Sequence, residues 1–260
     1  MRRVAFILVD GLRDDTARRC MGYLRALQEA HRARWATLRC ELPSLSRPLY
    51  ATVIAGRRPV DHGVLSNDHV GVRLHDTVFD DVHAGGGTSA VAGYDWFYEL
   101  LAGERFAPAR HRTAACASRG VVAGSWYFED DYPDSHLLAD AQDLRQRHAP
   151  DLLFVHTMGL DNAGHVHGGA SSAYDLAARK LDMALALLLP QWLADGYDVV
   201  LTSDHGMSAD RMHGGDTPEE RAVPFVWLPG DGDAAREPAA WPANQLGIRR
   251  FVMERMAAVR

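Results

Sequence analysis

Residues 3–10, RVAFILVD, run apolar for six consecutive positions and close on an aspartate. A short unbroken apolar run ending in a polar residue predicts a strand buried on both faces, as found inside parallel sheets. DLLFVHT (151–157) and YDVVLTSD (197–204) repeat the pattern, and AVPFVWLPG (222–230) predicts a fourth strand. TSAVAGY (88–94) and RTAACA (112–117) are weaker strand candidates. Between them, helical apolar spacing marks TARRCMGYLRALQEAHRAR (16–34), HLLADAQDLRQRHA (136–149), SAYDLAARKLDMALALLLPQWLA (172–194) and NQLGIRRFVMERMAAV (244–259). Strands alternating with helices predict an α/β fold, a three-layer sandwich around a mostly parallel central sheet. Its ligands should gather at the carboxyl ends of strands.

Length and composition agree with one catalytic α/β domain over residues 1–260, in which residues 68–150 are least legible and leave room for a small cap. Hydrophobic residues make up 47% and charged residues 24%, enough for a large core. A net charge of −6 without a basic run argues against a duplex nucleic-acid partner or an anionic membrane surface. Cys20, Cys40 and Cys116 are widely spaced and form no C-x-x-C pair, so neither a disulfide framework nor a cysteine zinc site is expected. The apolar run after Arg2 and Arg3 is too short for a signal peptide. A cytoplasmic location is the expectation. HAGGGTSA (83–90) reads as a loop, since no phosphate-binding fingerprint follows a clear strand.

Most of the candidate metal-binding residues fall next to predicted strand ends. Asp204 and His205 stand side by side after the third strand; consecutive side chains diverge, so the pair can serve two ions, or form a hydrogen-bonded polar loop. Asp161 and His165 are four apart, one face of a helical turn, and a carboxylate with an imidazole suits zinc or manganese. Taken alone, that segment also reads as a surface turn rich in histidine and glycine, with His167 spare. His213 lies in another glycine-rich loop, where a lone histidine is usually idle. Counted together with Asp10, these make three carboxylates and three imidazoles, enough for two ions of mixed oxygen and nitrogen ligation. Two ions roughly 4 Å apart stabilise the attacking and leaving oxygens of an in-line displacement at a phosphorus or sulfur ester. A serine is then activated by coordination and needs no histidine base. SRPLYATVIAG (46–56) supplies it: Ser46 is placed to cap a helix, Pro48 is early in it and Gly56 closes it. Serines in such positions also serve merely as N-caps.

Four separated blocks, ILVDGLRDD (7–15), LPSLSRPLYATVIAGRRPVDHGVLSN (42–67), HTMGLDNAGHVHG (156–168) and LTSDHGM with MHGG (201–215), resemble the alkaline phosphatase superfamily, and within it the nucleotide pyrophosphatase/phosphodiesterase branch. The resemblance implies an alkaline-phosphatase-like fold and a two-metal phosphoric ester hydrolase, leaning to diester or nucleotide pyrophosphate substrates. Zn²⁺ is the first choice of metal and Mn²⁺ the second. Ser46 falls on the metal-coordinated nucleophile, Asp10, Asp204 and His205 on the ligands of one metal, and Asp161, His165 and His213 on those of the other. Asn67 falls on an asparagine that hydrogen-bonds the transferred phosphoryl oxygen. Arg47 departs from the branch's pattern; it can reach a phosphoryl oxygen or point into solvent. Tyr50 stands where sulfatases need an arginine, which disfavours a sulfatase. The remaining alternatives are a phosphomonoesterase, a phosphonate hydrolase or a phosphotransferase on the same scaffold, and a non-catalytic metal-binding homologue.

Overall fold

The structure, a computed structural model, describes residues 1–230, 238 and 240–257. Seven strands, β1 (Arg3–Val9), β2 (Arg34–Arg39), β3 (Ser89–Tyr94), β4 (Val121–Tyr127), β5 (Leu152–Thr157), β6 (Tyr197–Ser203) and β7 (Ala222–Leu228), form one sheet in the order β2-β7-β6-β1-β5-β3-β4. β6, β1, β5, β3 and β4 are parallel neighbours, whereas β7 runs antiparallel to both β6 and β2. The expected α/β sandwich with a mostly parallel sheet is what the chain forms.

Twelve helices connect and cover the sheet among the described residues: α1 (Asp14–Cys20), α2 (Gly22–Glu29), α3 (Ser46–Ala55), α4 (Pro59–His62), α5 (Val78–Ala84), α6 (Asp95–Ala102), α7 (Pro108–His111), α8 (Asp134–His148), α9 (Gly159–His167), α10 (Ser172–Ala194), α11 (Pro218–Arg221) and α12 (Ile248–Ala257). α1, α2, α8 and α9 gather around α10 in one layer, while α3, α5, α6 and α12 form the other. β1, β5 and β6, the three central strands, are buried almost without exception, as their apolar runs require. None of these helices is long and apolar enough to cross a membrane.

Several sequence expectations shift. The helix expected over 16–34 breaks at Met21, whose backbone (φ −92°, ψ 78°) leaves the helical region, and ends at Glu29, with only Arg34 of its expected span in β2. β2 lies at the sheet edge with most residues half-exposed, so it lacks the apolar run that betrays a central strand. RTAACA forms no strand; Cys116 makes only an isolated bridge to Val121, and the edge strand is β4. The least legible stretch, 68–150, supplies β3 and β4 to the sheet and α8 to its cover. Residues 258 and 259 of the expected closing helix lie outside the described residues.

Candidate active site

Val9 pairs in register with Thr157 on one side and Ser203 on the other, so the chain leaves β1, β5 and β6 at one level of the sheet. Asp10 follows β1 directly, Asp161 and His165 ride on α9 just past β5, and Asp204 and His205 follow β6. This is the carboxyl edge where α/β sheets bind ligands. Gly11 is required at that level. Its φ is +68°, and a Cβ there would lie 2.9 Å from Asp161 Cα, so only glycine lets Asp161 stand against the Asp10 turn.

Ser46 arrives from across the sheet at the first position of α3. Leu45, in extended conformation, is the N-cap, and no side chain caps this helix. The expectation that Ser46 caps α3 is therefore corrected: its hydroxyl is 3.0 Å from His205 Nε2 instead. Gly56 closes the helix in the left-handed conformation as expected. Asn67 Oδ1 accepts the backbone N–H of Arg47, which places Asn67 beside the turn that carries Ser46. Arg47 does not point into solvent. It is 2% exposed, its Nη1 is 2.8 Å from Glu99, and its guanidinium lies over Trp96.

The three histidines share one arrangement. His165 Nδ1 lies 2.9 Å from the carbonyl of Arg211, His205 Nδ1 2.9 Å from that of Gly206, and His213 Nδ1 2.8 Å from that of Ser44. A ring nitrogen that donates to a carbonyl leaves its partner nitrogen with a free lone pair, so all three present Nε2 as a donor atom to the site. His205 Nε2 lies 3.2 Å from Asp204 Oδ2 and 3.4 Å from Asp10 Oδ1. His165 Nε2 is 3.3 Å from Asp161 Oδ2 and 3.1 Å from His213 Nε2, which is 3.6 Å from Asp161 Oδ1. Two overlapping donor sets result, one of Asp10, Asp204 and His205 and one of Asp161, His205 and His213, with His165 beside the second. His205 belongs to both, whereas the resemblance assigns it to one metal only.

Lone pairs facing lone pairs suit a cation, or a proton, between them. Asp10 Oδ1, Asp161 Oδ1 and Asp204 Oδ2 are buried without a hydrogen-bond partner in the protein. Burial, reinforced by the charge of Asp10, pushes Asp161 up and Asp204 well up from the ordinary carboxylate range. Burial also raises Asp10, but His156, His205 and Tyr50 outweigh it and hold that carboxyl at about 2. Burial presses His205 down and His213 down to about 4, which keeps both neutral. Asp161, hydrogen-bonded to His165, holds that imidazole up at about 9. Three buried carboxylates, two neutral imidazoles and a third whose Nε2 proton an ion would displace fit two divalent cations of mixed ligation.

Several supporting residues were not assigned from sequence. Ser44 accepts the N–H of Gly214 and donates to the carbonyl of Gly215, tying down the loop that carries His213. Glu220 accepts the N–H groups of Gly215 and Thr217 in the same loop. Gln245, fully buried, donates to the carbonyls of Ser203 and Asp204 and accepts the N–H of Glu41. Tyr50 donates to Asp10 Oδ2, and His156 Nε2 is 3.4 Å from the same oxygen. A histidine in the otherwise apolar DLLFVHT was the one signal of this group available in the sequence. His167 stays apart and lines a cavity of about 730 Å³ against α9, α10 and the start of α8, which none of the ligand candidates lines.

The fold is α/β, and the family match places the chain in the alkaline phosphatase superfamily. The chain belongs to the type I phosphodiesterase / nucleotide pyrophosphatase family, whose model matches residues 4–218, and the resemblance read from the four sequence blocks is borne out. The catalytic subunit of human GPI ethanolamine phosphate transferase 2 is 23% identical over 239 residues, covering 87% of this chain and 23% of its own length. The chain thus spans about a quarter of that relative. Murine ectonucleotide pyrophosphatase/phosphodiesterase 5 superposes with a TM-score of 0.62 at 15% identity, over 80% of this chain and 58% of that one; an inactive variant of it was solved in complex with AMP. The C-terminal periplasmic domain of EcEptC from Escherichia coli, in complex with Zn, superposes with a TM-score of 0.63 at 15% identity, over 96% of this chain and 81% of that one.

Proposed function

We propose that the protein is a two-metal phosphoric ester hydrolase that works through Ser46, leaning to phosphodiester or nucleotide pyrophosphate-type substrates. The observation that carries this reading is the clustering of three partnerless buried carboxylate oxygens and three imidazole Nε2 atoms around His205, whose own Nε2 lies 3.0 Å from the Ser46 hydroxyl. Asp10, Asp204 and His205 would hold one ion with Ser46, and Asp161, His165 and His213 the other, with His205 placed between the sets. A protein-only Ser–His dyad accounts for this geometry poorly. In a dyad the histidine's second nitrogen is oriented by an acid, whereas His205 Nδ1 faces a carbonyl and its Nε2 faces two carboxylates as well as the serine.

When bound, the two ions would lower the pKa of the serine hydroxyl and of a water and neutralise charge on the phosphoryl oxygens. Ser46 Oγ attacks phosphorus, its proton passing to solvent, and the bond from phosphorus to the leaving oxygen breaks with its electron pair. Water then displaces the phosphoryl group from Ser46 and restores the hydroxyl. Asn67, whose Oδ1 holds the N–H of Arg47, has an amide NH₂ to offer a phosphoryl oxygen. Neutral donors there suit the lower charge of a diester. An imidazole-rich donor set favours Zn²⁺, with Mn²⁺ second, and the Zn-bound EcEptC domain adds support. The AMP complex of the murine neighbour supports a small phosphate ester as substrate. Handing the same intermediate to an alcohol would make the protein a transferase, the activity named for the curated relatives.

The test is turnover of bis-p-nitrophenyl phosphate against p-nitrophenyl phosphate by Zn²⁺- and Mn²⁺-loaded protein. The reading expects preference for the diester; preference for the monoester would reject the diesterase lean, and no turnover of either would reject the hydrolase.

A further inference from the structure

We infer that Tyr50, His156 and Tyr127 form a positioning relay that commits one oxygen of Asp10 to the protein and so leaves the other as the sole ligand atom for a cation. The inference rests on the two-metal reading of the site. Asp10 is fully buried, and its two oxygens have opposite surroundings. Oδ2 accepts the hydroxyl of Tyr50 and has His156 Nε2 at 3.4 Å, whereas Oδ1 has no hydrogen-bond partner and faces His205 Nε2. Behind them, Tyr127 Oη lies 2.9 Å from His156 Nδ1. When that hydroxyl donates to Nδ1, the imidazole proton sits on Nε2, which makes no hydrogen bond within the protein and meets Asp10 Oδ2 as an electrostatic contact at 3.4 Å. Tyr50, His156 and Tyr127 are each 1% exposed or less, so no water competes for these groups.

Packing fixes the relay. The Tyr50 ring stacks on Phe97 with centroids 4.5 Å apart and meets the edge of His156 at 4.7 Å, and Phe97 lies 4.9 Å from His156. Tyr50 is also one helical turn beyond Ser46, on the same face of α3. The helix that presents the nucleophile therefore also locks the ligand, so Ser46 and Asp10 are set in one register. Groups that hydrogen-bond a metal ligand typically govern affinity by about 10- to 100-fold.

Tyr50→Phe removes only the hydroxyl and keeps the stacked ring; Tyr127→Phe does the same for the far end. Each full-length variant, stripped with a chelator and shown folded by circular dichroism, is titrated with Zn²⁺ by calorimetry and with Co²⁺ by visible absorption. Affinity in Tyr50→Phe should fall about 10- to 100-fold, with a changed Co²⁺ spectrum as Asp10 Oδ2 becomes free to bind; Tyr127→Phe should show a smaller fall of the same kind. Wild-type affinity and spectrum in a folded Tyr50→Phe protein would overturn the inference, and so would an unaltered Tyr127→Phe protein should Tyr50→Phe fail to fold. Tight ion binding by the wild type without turnover of any phosphate ester would reject the functional reading alone, while no ion binding by the wild type would overturn both.

Discussion

His205 is the residue on which the site turns. Its Nδ1 is held by its neighbour's carbonyl, its Nε2 faces Asp10, Asp204 and Ser46, and its ring stacks on His213 with centroids 3.7 Å apart. It falls in both donor sets, whereas His165 stands only beside the second, with its side chain 42% exposed. Loss of His205 should therefore disturb both ions and loss of His165 only one. Elemental analysis of His205→Ala is expected to find well under one ion per chain, and of His165→Ala about one where the wild type carries two. Equal losses in the two variants would mean that the sets do not share His205. Most of the ligand candidates were legible in the sequence because they end or follow an apolar strand, whereas His213, in a glycine-rich loop, became a candidate only when counted with the others. The sharing was not, since consecutive residues at a strand end reveal that their side chains diverge but not which neighbours they meet.

Among the elements, α3 does the most and was only half legible. SRPLYATVIAG announces a helix through Pro48 and Gly56, yet the helix begins at Ser46 instead of being capped by it, which frees the hydroxyl for the site. Every residue of α3 is buried, so apolar periodicity could not tell which face meets what. Arg47 shows the consequence: in sequence it looks available to substrate or solvent, but in the fold it anchors α3 to α6 through Glu99 and Trp96. Glu99 also accepts the N–H of Phe106, so the pair secures the segment after α6. Removing one partner of a buried pair strands the other charge and typically costs about 3–5 kcal/mol. Arg47→Ala should lose about that much in urea unfolding, and Arg47→Met with Glu99→Leu should recover much of it. Undiminished stability in the single variant would show that the pair does not hold α3. β2 and β4, the two edge strands, were the illegible part of the sheet, because edges need not be apolar on both faces.

At the scale of the whole molecule, the sheet order brings residues from four distant segments to one edge. β6, β1 and β5 are adjacent, so the end of β1 emerges level with those of β5 and β6 far along the chain, and α3 delivers Ser46 against them. That convergence is what would let a serine without a sequence neighbour to activate it act as the proposed nucleophile. The alternation of apolar runs with helices made the architecture readable; the supports contributed by Gln245 and Tyr127 were not, because each acts across the fold on a partner far away in sequence. The central claim is that the phosphoryl group passes through Ser46. Rapid acid quench of metal-loaded protein turning over bis-p-nitrophenyl phosphate, followed by mass spectrometry of its peptides, should find a phosphoryl adduct on the peptide containing Ser46. The adduct should be absent in metal-stripped protein and in Ser46→Ala, which should lose activity on the order of 10³-fold or more. Turnover at the wild-type rate by Ser46→Ala, with no adduct on the wild type, would contradict the account.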